Sequence, residues 1–129
     1  MELTIVGKAG GMGLDQHHEL KKRTKAFALR VIKMSQALPI TRAANVINSQ
    51  ILRSATSVAA NYRAVGRARS KAEFVAKLGV VVEETDETVL WLELLVESGI
   101  VKPEKLHGLL DEANQLLSIF SASRRTART

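Results

Sequence analysis

Three histidines, one carboxylate cluster and one run of arginines are the residues of this 129-residue chain whose types could do chemistry. His17, His18 and His107 could move protons or ligate a metal. Glu83, Glu84, Asp86 and Glu87, within VVEETDETVLWLELL, could hold a hard cation. A di-metal bundle would need Glu-x-x-His pairs on facing helices, and no acid at all lies between Leu20 and Ala72. HExxH and the nucleophile elbow are both missing, and the absence of cysteine removes thiol chemistry, Cys-ligated zinc and iron–sulfur clusters. No catalytic residue, metal or cofactor is therefore expected, and the reading is non-enzymatic. His17 and His18 are expected to be solvated at a helix start.

The arginines carry more. QILRSATSVAANYRAVGRARSKAEF, Gln50 to Phe74, holds Arg53, Arg63, Arg67, Arg69 and Lys71, with no carboxylate before Glu73. The imbalance is wider than this run. Twelve lysines and arginines lie between Leu20 and Ala72, and ten acids against three lysines between Glu73 and Glu112. A net charge of +6 and a pI near 10.0 thus conceal a basic half and an acidic half.

Four helices must position these groups. The first is expected from about His18 to Leu38, with Leu20, Phe27, Val31, Met34 and Leu38 in its seam, ended by Pro39. Thr41 caps a second helix running to about Val65, where Gly66 stops it. Ser70 and Glu73 form the capping box of a third. Gly99 ends that helix, and Pro103 opens a fourth with Leu106, Leu110, Ala113, Leu117 and Phe120 in its seam, reaching about Ser123. Short connections make this an all-α, antiparallel up-down-up-down four-helix bundle, oligomeric for the reason given below. Residues 1–16 read as a flexible Gly-rich leader, because LTIV followed by GKAGG has neither phosphate-loop nor dinucleotide spacing. Residues 17–123 form the bundle and 124–129 a basic tail. No apolar run spans a membrane and no signal peptide is evident, so the expected location is cytoplasmic.

With Arg42 as zero, Arg53 falls at about 20°, Arg63 at about −60° and, if the helix continues that far, Arg67 at about −20° around the second helix, while Ile47, Ile51, Val58 and Val65 lie at about 140° to 180°. The guanidinium groups oppose the apolar seam. Arg53 is expected to pair with Glu84 or Glu87 of the third helix, since its planar fork suits a carboxylate. Asn61, Thr85 and Thr88 either bond across helices or back-bond to their own carbonyls. The third helix carries two apolar rows: Phe74, Leu78, Val81, Thr85, Thr88, Leu92 and Leu95, and beside them Val75, Val82, Val89 and Val96. A second row exceeds the needs of a lone amphipathic helix and suggests a subunit interface, with Trp91 in core or interface. Tyr62 is expected in the core. Cations left over, Arg63, Arg67, Arg69 and Lys71 with part of the set Lys21, Lys22, Arg23 and Lys25, would form a basic field for RNA or DNA phosphates. The alternative is a protein-interaction scaffold whose charges pair internally.

Gln50-x-x-Arg53-Ser54-Ala55, Ser57-x-x-x-Asn61, Gly66-Arg67-x-x-Ser70, Glu73-Phe74 and Glu84-Thr85-Asp86-Glu87-Thr88 leading to Trp91-Leu92-Glu93-Leu94-Leu95 resemble the four-helix bundle protein family, also described as large-subunit ribosomal RNA intervening-sequence proteins. The resemblance covers roughly residues 22 to 120. Where many members carry an acid and Gly shortly after the Asn, this chain has Tyr62-Arg63-Ala64-Val65-Gly66. The resemblance implies a non-enzymatic, ring-like homopentamer. It also implies relatedness to accessory proteins of diversity-generating retroelements, which bind nucleic acid and a reverse transcriptase.

Overall fold

The computed structural model describes residues 13–129, which form four helices: α1 (Leu14–Ser35), α2 (Arg42–Val65), α3 (Lys71–Glu97) and α4 (Pro103–Arg128). No strand occurs among the described residues, and the LTIV segment lies outside them. None of these helices is long and apolar enough to cross a membrane.

Local chemistry sets most boundaries. Thr41 accepts a hydrogen bond from the Ala44 backbone N–H at 3.2 Å, and Ser70 accepts one from Glu73 at 3.0 Å. Pro103 sits in the first turn of α4, where its missing N–H costs nothing. Gly99, at φ 79, supplies the left-handed turn between α3 and α4. Gly66 ends α2 in a right-handed conformation, so it is the turn after it and not a left-handed cap that redirects the chain.

Three boundaries differ from expectation. α1 starts at Leu14, behind Gly13, which offers no side-chain cap and hence no signal in the sequence. It ends at Ser35, because the last turn tightens through Ala37 N–H to Met34 O at 3.0 Å before Pro39 is reached. The third difference is at the C-terminal end: residues 124–129, read as a tail, continue α4 to Arg128. Ala127 is 0% exposed there, in step with Phe120 and Ser123, and this burial holds the final turns.

Consecutive helices pack closely, whereas α1 and α4 barely meet. α3 therefore lies between two neighbours of its own chain, which accounts for its broad apolar arc. Val89 is buried in the common core, and Val75, Val82 and Val96 pack half-buried on the edge of the same cluster. The second valine row, expected at a subunit interface, thus finds much of its cover inside the chain itself. In α4 the buried leucines are Leu106, Leu109 and Leu116, with Leu110 and Leu117 half-buried, so the expected seam holds at Leu106, Ala113 and Phe120 and shifts between them. The two ladders differ by one residue, and the bundle centre selects the one that faces it.

Candidate nucleic-acid interface

Antiparallel alternation brings the α2–α3 connection and the last turns of α4 to one end of the bundle. Arg124 Nε donates to the Val75 carbonyl at 3.3 Å, laying the end of α4 over the start of α3. Gly79 makes room, since a Cβ there would lie 2.8 Å from Arg124 Nε. Arg63, Arg67 and Lys71 are exposed at this end, as are Arg125 and Arg128, and none of the five is ion-paired among the described residues. Arg69 is also exposed, with Glu73 at 3.6 Å, a separation that leaves its guanidinium in water. Arg124, Arg125 and Arg128 belong to the stretch 124–129 expected as a basic tail. The 3/4 spacing of Phe120, Ser123 and Ala127 was the signal that they continue a helix.

The cations of α1 divide. Lys22 and Lys25 are exposed and Lys21 half-buried. Arg23 turns away from solvent and grips Glu112 of α4 with two bonds, Nε to Oε2 at 3.0 Å and Nη2 to Oε1 at 2.7 Å, and adds Gln115 at 3.1 Å. The Glu112 hydrogen bonds raise the Arg23 pKa against the opposing effect of burial. Replacing Arg23→Gln is expected to cost about 1 kcal/mol in urea denaturation while leaving nucleic-acid affinity unchanged.

Midway along the bundle the structure brings Arg53, Glu84 and Glu87 together. Arg53 Nη1 lies 3.1 Å from Glu84 Oε2, and Nη2 bonds Glu87 Oε1. These hydrogen bonds, first that of Glu87, raise the Arg53 pKa. Trp91, half-buried, donates Nε1–H to the same Glu87 oxygen at 3.3 Å. Asn61 stays out of this group; its Nδ2 donates to Ser57 O at 2.9 Å and lies 2.7 Å from Ser57 Oγ. Thr85 back-bonds to Val81 O at 2.7 Å. Only Thr88 crosses helices, its hydroxyl 2.8 Å from Ser54 Oγ on α2 and 2.8 Å from its own Glu84 carbonyl. With one proton on each hydroxyl, Ser54 and Thr88 can satisfy both contacts.

Beneath the basic end sits a buried aromatic group. His17, expected in solvent, is 1% exposed. Because α1 starts early, His17 falls one turn before Leu20 on the core-facing side. Its Nδ1 lies 2.9 Å from the Tyr62 hydroxyl, and Tyr62 stacks on Phe120 with centroids 5.2 Å apart. Burial pushes the Tyr62 phenol pKa well above its ordinary value. A phenol whose folded pKa is raised contributes stability that is complete below the unfolded pKa, about 10, and is lost as pH climbs beyond it. Urea midpoints measured across alkaline pH are expected to hold below about pH 10 and fall above it, and Tyr62→Phe should flatten that fall.

Among the described residues no three His, Asp or Glu side chains converge so as to hold a metal ion. The arrangement offers cations in water, placed by rigid helices, and that suits phosphate contact.

No curated protein matches the chain. Among solved structures it is similar to a protein of unknown function from the S23 ribosomal protein family of Bacteroides thetaiotaomicron. The two are 29% identical with a TM-score of 0.78, over 85% of this chain and 98% of that one. The family described as 23S rRNA-intervening sequence protein matches residues 16–122, from the first turn of α1 to the later turns of α4. That match covers all four helices, and the chain belongs to the 23S rRNA-intervening sequence protein family.

Proposed function

We propose that this protein is a non-enzymatic, cytoplasmic, homo-oligomeric bundle that binds RNA or DNA by phosphate contact at its basic end. The observation that carries the reading is the gathering of Arg63, Arg67, Lys71, Arg125 and Arg128, exposed and without an ion-pair partner among the described residues, where α2, α3 and α4 meet. Of the acids, Glu84 and Glu87 hold Arg53 and Glu112 holds Arg23, while Asp15 and Glu19 in the first turns of α1 stand exposed near this end and offset part of its charge. Assembly multiplies this end into a larger field, with the pentamer implied by the sequence resemblance as the proposed form. Recognition through phosphates is indifferent to base identity and strongly salt-dependent.

The internal pairs support a second reading, a scaffold whose charges serve packing. Titrating mixed-sequence RNA against the protein over a range of salt separates the two. The nucleic-acid reading expects log affinity to fall linearly with log salt, by about 0.7 per phosphate contacted on a single strand. Negligible binding at physiological salt by an intact assembly favours the scaffold and ends the first reading.

A further inference from the structure

The seam that α1 and α4 leave open widens, at the end opposite the basic one, into a cleft of about 720 Å³. Its lining is largely apolar and includes Met34, Leu38, Ile100 and Leu109. Arg30 and Lys33 from α1, and Lys102 and Lys105 from the foot of α4, rim it, and no carboxylate lines it. None of these four cations is ion-paired among the described residues. Gly108 keeps α4 bare beneath Arg30, since a Cβ there would lie 3.0 Å from its Nη2. A lining of this kind ringed by uncompensated cations fits an apolar ridge flanked by acids.

The chain carries such a ridge. On the outer face of α3, Leu90 and Leu94 are 46% and 38% exposed, one turn apart on the same side. Asp86, Glu93 and Glu97 stand exposed around them, and no lysine or arginine occurs between Lys77 and Lys102. α3 ends where α4 begins, so ridge and cleft share one level of the bundle. They face different directions, because the open seam belongs to α1 and α4. One subunit cannot bring the two together.

We propose that the Leu90–Leu94 ridge of one copy seats in the α1/α4 cleft of the next. The interface is head-to-tail, so each copy uses both surfaces and the contact repeats around a ring or along a filament. This inference rests on the homo-oligomeric part of the function above and adds which surfaces meet.

Light scattering during gel filtration tests it with a charge swap. Lys33→Glu with Lys105→Glu, and separately Glu93→Lys with Glu97→Lys, are each expected to weaken assembly roughly a hundredfold and release monomers. A chain carrying all four substitutions should recover the assembly. Unchanged helicity and urea midpoints show that each variant folds. If the unaltered protein assembles and the paired variants stay assembled, the interface is wrong and oligomerisation stands. The interface is also wrong if both paired variants dissociate and the fourfold chain remains monomeric, because cleft and ridge then do not meet each other. A monomeric unaltered protein overturns both this interface and the oligomeric reading.

Discussion

Tyr62→Ala is expected to destabilise the bundle by about 3–5 kcal/mol, the usual range for truncating a fully buried aromatic side chain. Tyr62 is 0% exposed, stacks on Phe120 and meets His17 through its hydroxyl. It thereby ties α2 to α4 and α1 at one place, and removing it leaves a void bordered by a buried imidazole. Domains of this size hold only about 5–15 kcal/mol in all, so the variant should unfold at a much lower urea concentration. Tyr62→Phe separates packing from polarity. It keeps the stack on Phe120, takes away the hydroxyl facing His17 Nδ1, and should cost about 1–2 kcal/mol. Chemical denaturation followed by circular dichroism reads both. If Tyr62→Ala costs no more than Tyr62→Phe, the aromatic group is not the anchor described.

Reversing Arg67 and Arg69 to glutamate is expected to lower RNA affinity by roughly two orders of magnitude at about 0.1 M salt and to flatten the salt dependence by about two phosphate contacts. Both side chains are exposed beside Arg63 and Lys71, where no buried carboxylate depends on them. The structural cost is small. Arg69→Glu turns an i,i+4 attraction with Glu73 into a repulsion of about 0.2–0.5 kcal/mol. The loss should be equal across RNA sequences, because no base edge is being read. A double variant that folds and keeps full affinity removes the basic end from consideration. Arg23→Gln is the matched control, a cation lost from the same chain but not from that surface.

Most helix limits were legible because their stops and starts are chemical: Thr41, Ser70, Gly99 and Pro103 each act through their own backbone or hydroxyl, whereas α1 stops short of Pro39. The start of α1 was not, since Gly13 caps without a side chain, and His17 was therefore misplaced in solvent. The end of α4 was hidden by composition, as RRTART reads as a tail unless Ala127 is recognised as a core residue. Leu109 and Leu116 could not be told from Leu110 and Leu117 without knowing which neighbours flank α4. The helical stripe bearing Arg53 could be computed from spacing, whereas its meeting with Glu84 and Glu87 depends on the register of α2 against α3. Whether Thr88 would reach Ser54 depended on the same register. The width of the α3 apolar arc was plain, but one chain supplies partners on both its sides, and only the packing order reveals that.

That packing order also governs how the chain finds its fold. Each helix meets the one that follows it, so most contacts join residues close in sequence, and little loop-closure entropy must be spent before they form. Topologies of this kind complete folding in microseconds to milliseconds. The protein can reach its native state helix pair by helix pair, with its greasy surfaces exposed only briefly.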